Sequence, residues 1–286
     1  MINYSYPFKN VKEWEKFWSC FDDVKTINII EVKSNAVINN KFCIARLYYI
    51  TGKFVKKWKN IKPDGNFYTF QIGEQQNVHG HFINCDLTEF FGKNDMCPIQ
   101  VSHHWAAPDS IDPNRIKEIH YPSIEKTDQD CWPILWGMIL GLRKYDGNTL
   151  SSMEMDKWWD IKNMHWIGPF AIGHLRGLSE FQEFHQKKFL KFIPDRDGSL
   201  GINKVIYSDG NYAALMGHPS MKCTHKNDYF GFAPEGTQPR LFVMDFWTCD
   251  GKRLVDNWCQ IDMIDLFRSI NKEYKEYIDD KLHYSR

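Results

Sequence analysis

The stretch DGKRLVDNWCQIDMIDLF, residues 250–267, contains the change of pattern on which the fold depends. An Asp-Gly turn signal opens it and alternating residues predict a strand, until the period changes at Asp262 and a short helix is predicted. Side chains of one parity share a face of a strand, so Trp258, Gln260 and Asp262 should project together. A carboxylate beside an indole is one route to a raised pKa, so this row is the first candidate site.

The composition is that of a soluble globular protein. Of 286 residues, 43% are hydrophobic and 25% charged, which is enough apolar material for two cores. Thirty-six basic residues balance thirty-six acidic ones, so charge gives no argument for nucleic acid or an anionic membrane as a partner. The longest apolar run, about ten residues, is too short to cross a bilayer. Eight scattered cysteines without CxxC spacing, and an N-terminus without a signal-peptide core, predict a cytoplasmic protein.

Periodicity along the chain predicts an α+β protein in which antiparallel strands alternate with groups of helices. A helix is predicted at 11–24, with strands after it as far as residue 86. Residues 93–130 contain four prolines and little periodicity, which is typical of a linker. Regular pattern then predicts helices at 134–144, 151–160 and 179–192. Four strands and a helix at 263–270 follow, and the charged tail beyond is predicted to be partly disordered.

The two halves of the chain share short matches in the same order, which indicates a duplicated domain. CDLTEFF at 85–91 matches IDMIDLF at 261–267, and the Tyr-Pro-Phe at 6–8 matches the Gly-Pro-Phe at 168–170. Each match alone is weak, but their shared order extends over some eighty residues.

The duplication predicts the domain boundaries. The first half lacks counterparts for the helices between 134 and 160, so it is predicted to be a trimmed copy of the second. The predicted domains are 1–95 and 131–286, joined by a linker at 96–130. We expect the first domain to pack on the second through its sheet as an intramolecular pseudo-dimer, and a homodimer of the whole chain is a further expectation.

Two blocks of the second half connect the chain to a known family. HWIGPFAIGHLRGLSEFQEFHQKKFLKFIPDR at 165–196 and RLVDNWCQIDMIDLF at 253–267 resemble the SnoaL-like polyketide cyclases, in the tandem form also described as ester cyclase-like. The resemblance covers 125–271 well and 1–100 weakly. It implies the NTF2-like fold twice: a cone in which a strongly bent sheet wraps around helices and leaves a largely apolar pocket.

The resemblance also implies a reaction. In SnoaL-like cyclases a pocket Asp is the general acid–base for an intramolecular aldol ring closure, without metal or cofactor, and the Asp that matches by motif is Asp262. The implied function is a cofactor-independent cyclase, or a related lyase or isomerase, that acts on a small apolar carbonyl compound. The alternatives are a binding protein that holds a small hydrophobic ligand without chemistry, and a structural interaction module.

Each candidate catalytic residue has a structural interpretation beside the functional one. Asp262 would transfer the proton, or it would only cap the helix that follows it, as Asp86 would in the first half. His185 would line the pocket, or lie in the core on the apolar face of its helix. His218 would be aimed inward by a strand bulge, or lie on the surface.

The remaining pocket candidates are mostly aromatic. Met244 and Phe246 lie on one face of their strand and are expected to face the pocket. Asp245 lies on the opposite face and, because it is charged, is expected to face away from the pocket. The full set of candidate lining residues is Trp258, Gln260, Trp166, His165, Phe170, Phe189, Tyr212, Met244 and Phe246.

Histidine pairs occur at His79-x-His81 and His103-His104. No acid or cysteine stands at a spacing that would complete a metal site, so we expect no metal. The expected partner is a small hydrophobic molecule, bound without a cofactor.

Overall fold

The described residues of the first half form one sheet and two short helices. The computed structural model describes residues 2–34, 42–97 and 118–282. The strands are β1 (Ile2–Tyr4), β2 (Phe21–Lys33), β3 (Ile44–Phe54), β4 (Phe67–Asn77) and β5 (Gly80–Cys85). They are ordered β1-β5-β4-β3-β2 in the sheet. The helices are α1 (Val11–Trp18) and α2 (Thr88–Lys93).

The second half forms a longer sheet with more helices. Its strands are β6 (His165–Ile167), β7 (His174–Arg176), β8 (Val205–Asp209), β9 (Tyr212–Gly217), β10 (Val243–Cys249) and β11 (Leu254–Ile261). Their order is β7-β6-β11-β10-β9-β8. The helices are α3 (Trp132–Leu142), α4 (Met155–Trp158), α5 (Gly177–Glu180), α6 (Lys187–Phe192), α7 (Met263–Ile270) and α8 (Lys272–Leu282). A π-helical turn, Phe181–Gln186, joins α5 to α6.

The two sheets repeat one topology. In each half a three-residue strand pairs parallel with the last long strand: β1 with β5, where Ile2 lies opposite His81, and β6 with β11, where His165 lies opposite Asp256. The other long strands are antiparallel, and β7 is an addition to the second sheet. The predicted α+β class with two sheets is therefore confirmed.

The sheets contact each other face to face through an apolar cluster that we call the inter-sheet cluster. The first half contributes Ile30, Val32, Cys43, Ala45, Leu47 and Phe82. The second half contributes Ile167, Tyr207, Tyr212, Ala214, Met216, Phe242, Met244, Phe246 and Trp258. Polar groups cross the same contact, since Gln75 Nε2 donates to the Leu215 carbonyl at 3.0 Å. One face of β10 and β11 is thus covered by the first half.

Two aspartates at corresponding positions also join the halves. Asp86, after β5, accepts a hydrogen bond from the backbone N–H of Phe170 at 2.6 Å. Asp262, after β11, accepts one from the backbone N–H of Tyr6 at 2.7 Å. Tyr6 and Phe170 flank the matched prolines of the two repeats, so each half supplies a carboxylate to the backbone of the other.

Three predicted elements differ from the observed ones. The first helix ends at Trp18 rather than residue 24, and β2 begins at Phe21. The helix predicted at 151–160 is broken because Glu154 adopts a left-handed backbone conformation, with φ of 53°, before α4. The tail forms α8, which buries Tyr274, Ile278 and Leu282 at helical spacing.

Within the described ranges no helix combines the length and hydrophobicity that crossing a bilayer requires; α3 and α8 have eleven residues each.

Gly73 lies in the contact between the two sheets, against Gln260 and Met244. A β-carbon there would lie 1.9 Å from Gln260 Oε1 and 2.9 Å from Met244 Sδ. Gln260 is only 1% exposed, so its amide has no solvent to move into. Gly73→Ala should lower the free energy of unfolding by about 1–3 kcal/mol, measured by urea denaturation.

The double variant Gly73→Ala/Gln260→Ala is the control for that prediction. Gln260→Ala removes the amide that the new methyl group would contact. The double variant should therefore lose about 1 kcal/mol less stability than the sum of the losses in the two single variants. Additive losses would contradict the close approach.

Candidate active site

A cavity of about 530 Å³ lies in the second half, bounded by α3, by the segment after α6 and by β9 and β10. Its apolar walls include Met138, Leu142, Leu215, Met221, Val243 and Trp247. The two β10 residues, Val243 and Trp247, belong to the face turned away from the first half. The cavity therefore opens on the side of the sheet that the inter-sheet cluster leaves uncovered.

Asp245 brings a carboxylate to this cavity, because it lies between Val243 and Trp247 on the same face of β10. Asn257 Nδ2 donates to its Oδ1 at 3.1 Å, and Cys259 lies directly opposite on β11. Burial raises the pKa of Asp245 to about 6, against the hydrogen bonds from Asn257 and Cys259, which lower it. Such a carboxyl is charged at neutral pH but is a much stronger base than an exposed one.

Cationic side chains line the same cavity. Arg196 donates to the Leu142 carbonyl at 3.5 Å, and its guanidinium lies 5.3 Å from the centre of the Tyr145 ring. Lys204 Nζ donates to the Gly198 carbonyl at 2.7 Å. Burial lowers the pKa of both Arg196 and Lys204, and the neighbouring Asp245 raises that of Lys204. Arg196, Lys204 and the Asp197 carboxylate thus line the same cavity as Asp245, and Lys204 is the cation that acts on the Asp245 carboxylate.

Asp262 does not line this cavity. Its Oδ1 caps α7 by accepting from the Asp265 N–H at 3.0 Å, and its Oδ2 accepts from Tyr6. It is 4% exposed, and burial, followed by the nearby Asp265 carboxylate, raises its pKa. Both oxygens are engaged with backbone groups, so the expectation that Asp262 faces the pocket is wrong and the capping interpretation describes its position.

The predicted histidines also lie away from the cavity. His185 is in the π-helical turn with its ring stacked on Trp166 at 4.2 Å and on Phe189 at 5.3 Å, and burial lowers its pKa to about 3. It is a neutral core histidine, and Trp166 is its core neighbour. His218 precedes a cis proline and packs on Phe242 at 4.4 Å, and burial lowers its pKa.

The orientation predicted for β10 and β11 is inverted. Met244, Phe246, Trp258 and Tyr212 belong to the inter-sheet cluster. Gln260 lies against Gly73 in the same contact. The face that carries these side chains is apolar because the first sheet covers it. The opposite face of β10, which carries Asp245, borders the cavity. The assumption that charge marks the outer face fails when both faces are covered.

The last two lining candidates are outside the cavity as well. Phe170 follows Pro169 and is held to Asp86 through its backbone. His165 is on β6, between β7 and β11, and its Nδ1 lies 2.8 Å from Nε2 of His174. His81 pairs with Glu74 at 2.8 Å. His103 and His104 lie outside the described residues.

The fold and the cavity together define the second half as an α+β domain with a small-molecule-sized cavity. Residues 161–270 match the family model of the SnoaL-like polyketide cyclases. The resemblance inferred from the sequence is therefore confirmed over these residues, which are similar to the SnoaL-like cyclases. No protein with a curated description matches the chain significantly.

Solved structures that match the chain cover about half of it. A candidate SnoaL-like polyketide cyclase from Jannaschia sp. CCS1 is 13% identical over 50% of this chain and 96% of its own, with a TM-score of 0.39. A candidate polyketide cyclase from Acidithiobacillus ferrooxidans is 21% identical over 49% and 93%, with a TM-score of 0.38. An NTF2-like protein from Burkholderia xenovorans LB400 is 13% identical over 49% and 95%, with a TM-score of 0.37.

Because Asp245 is buried, the free energy of unfolding should fall as the pH rises through the pKa of this residue. Its folded pKa of about 6 exceeds the unfolded value of about 3.9, so the folded state binds this proton more tightly. The contribution of Asp245 to the free energy of unfolding is therefore largest below about pH 4 and is lost as the pH rises through about 6. The whole loss is roughly 3 kcal/mol at most. Asp245→Asn should remove this fall, measured as unfolding free energies from urea titrations across that range.

Asp280→Asn, at an exposed carboxylate on α8, is the matched control and should follow the wild-type pH profile. If the Asp245→Asn profile ran parallel to the wild-type profile, the assignment of a raised pKa to Asp245 would be wrong.

Proposed function

We propose that the cavity of the second half binds a small carbonyl compound and that Asp245 removes a proton from the carbon beside the carbonyl. The chain would then be a cofactor-independent cyclase, or a related isomerase or lyase, of the kind that the SnoaL-like family suggests. The observation that carries the proposal is a carboxylate whose pKa burial raises to about 6, on the wall of a cavity of about 530 Å³. A base with a pKa near the working pH is the kind that general acid–base catalysis favours.

The proposed reaction begins with transfer of the α proton to Asp245. The electrons of the C–H bond form an enolate, whose negative charge collects on the carbonyl oxygen. In a cyclase, the enolate carbon attacks a second carbonyl of the same molecule, which forms a C–C bond and an alkoxide. The alkoxide then takes a proton, so the ring closure consumes no oxidant or reductant. In this scheme the protonated Asp245 returns its proton to the alkoxide.

The cations support the charged intermediate. Lys204 and Arg196 line the cavity together with Asp245, and both side chains are fixed by hydrogen bonds to backbone carbonyls. Fixed cations in a partly buried site stabilise a developing oxyanion more than mobile ones in water do. They also predict that the substrate carries an oxygen-rich group, and not only hydrocarbon.

The proposal assigns different tasks to the buried aspartates. Asp245 is the base, whereas Asp262 and Asp86 connect the two halves through backbone N–H groups. His185 and His218 have no chemical step in it. The expected domain boundaries at 95 and 131, the cytoplasmic location and a homodimer remain predictions.

Proton exchange into a panel of ketones tests this proposal and does not require the natural substrate to be identified. The panel contains aryl ketones and β-keto esters, including 2-tetralone, and deuterium incorporation beside the carbonyl is followed by NMR. Asp245→Asn should lower the catalysed exchange rate by about 10²–10⁴-fold, because the base is lost. Binding of the same compound, measured by calorimetry, should persist within a few-fold.

Asp262→Asn is the matched control, since it replaces the carboxyl group of a buried aspartate outside the cavity. It should keep the exchange rate per folded molecule, with folding checked by circular dichroism. Loss of exchange in Asp262→Asn with retention in Asp245→Asn would overturn the assignment. Binding without catalysed exchange by the wild type would instead favour the non-catalytic binding protein.

A further inference from the structure

Three histidines from separate parts of the chain converge on the face of the second sheet opposite to the cavity. His165 lies on β6 and His174 on the edge strand β7, and His120 comes from the segment that leads into the second half. His120 and Trp258 have ring centres 5.5 Å apart, which locates the group beside the inter-sheet cluster. These imidazoles have no step in the reaction proposed for the cavity.

The three rings have the spacing of ligands around one ion. Each residue offers a ligand nitrogen, and the three nitrogens lie within 4.8 Å of one another. The ring centres are 4.3 Å, 5.1 Å and 5.1 Å apart. A zinc–imidazole bond of about 2.0–2.1 Å puts the ring centre about 3.2 Å from the metal, so the centres of tetrahedral ligands lie about 5 Å apart. The observed triangle has about that size. His165 Nδ1 and His174 Nε2 are now 2.8 Å apart, a hydrogen-bond distance, so a metal ion would replace this hydrogen bond and separate the two nitrogens to about 3.3 Å.

The surrounding structure holds the three rings in this arrangement. The ladder between β6 and β7, in which His174 lies opposite Ile167, fixes the backbones of His165 and His174. His120 Nε2 lies 2.8 Å from Oδ1 of Asp256, which leaves Nδ1 for a metal. A carboxylate bound to the outer nitrogen of a ligating histidine is a recurrent feature of metal sites, because it fixes the tautomer and orients the ring.

Asp256 is itself well anchored for this role. It is fully buried, and its oxygens accept hydrogen bonds from the Ser123 N–H at 2.9 Å, from Ser123 Oγ at 2.6 Å and from Thr248 Oγ1. It also supplies a negative charge next to the imidazoles. The other charged groups near His165 are Arg176 and Glu118, which pair with each other at 3.1 Å and largely offset one another.

We propose that His120, His165 and His174 form a binding site for one divalent transition-metal ion of the zinc class. Three imidazoles suit Zn²⁺, Co²⁺, Ni²⁺ or Cu²⁺, whereas Mg²⁺ and Ca²⁺ prefer oxygen ligands. Three protein ligands leave a fourth position for water or another molecule. The ion would also tie the segment around His120 to β6 and β7 of the second sheet, at a place separate from the Asp245 cavity.

Metal titration of tag-free, chelator-treated protein tests this site. Calorimetry with Zn²⁺, and Co²⁺ titration followed by the visible absorption of tetrahedral Co²⁺, should each report one equivalent per chain. His165→Ala and His174→Ala should weaken binding by at least tenfold. Asp256→Asn should weaken it by about 10–100-fold, because the orientation of His120 is lost but all three ligands remain.

The control is His79→Ala/His81→Ala, which removes a second histidine pair, at the turn between β4 and β5 and the start of β5, and should leave the stoichiometry and affinity unchanged. If a strand variant fails to fold, by near-ultraviolet circular dichroism, His120→Ala gives the same test, because His120 is outside the sheet. Absence of the tetrahedral Co²⁺ spectrum in the wild type, or binding that these histidine variants do not change, would overturn the proposal and leave a hydrogen-bonded histidine cluster.

Discussion

The contact between the two sheets is the constraint on which the rest of the structure depends. Gly73 allows the strands to approach so closely that Gln260 and Met244 occupy the place of its missing side chain. The apolar side chains around them bury one face of β10 and β11, and burial of that kind is the main favourable term in folding. Only the opposite face is then left to bound a cavity, and Asp245 is on it.

The buried aspartates show how position decides what a carboxylate can do. Asp86 and Asp262 follow the last strand of each half, and each accepts hydrogen bonds from backbone N–H groups of both its own half and the other. Their oxygens are occupied, so their contribution is to join the halves. Asp245 accepts from the Asn257 amide and lines a cavity with cations, so it has access to a ligand. Burial raises the pKa in all three cases, which means that a raised pKa alone does not identify a site.

The sequence predicted the architecture better than the site. The matched segments at 85–91 and 261–267 correspond to equivalent strand-to-helix junctions, and a cap at Asp262 was one of the two interpretations of that residue. Periodicity showed that β10 has two different faces, but not which one encloses a cavity. That depends on the first half covering Met244, a contact between residues far apart in sequence. A single acid within the apolar run LFVMDFWTC was the signal that could have identified Asp245. The approach of His120 to His165 depends on tertiary folding in the same way.

Carbon-13 NMR titration of the aspartate carboxyl groups tests the central claim most directly. The Asp245 signal can be assigned by its loss in Asp245→Asn, and its chemical shift can then be followed against pH. The account predicts a midpoint at about 6, because the carboxyl is buried on the cavity wall. A midpoint near 4 or below, the ordinary range of an exposed aspartate, would contradict it.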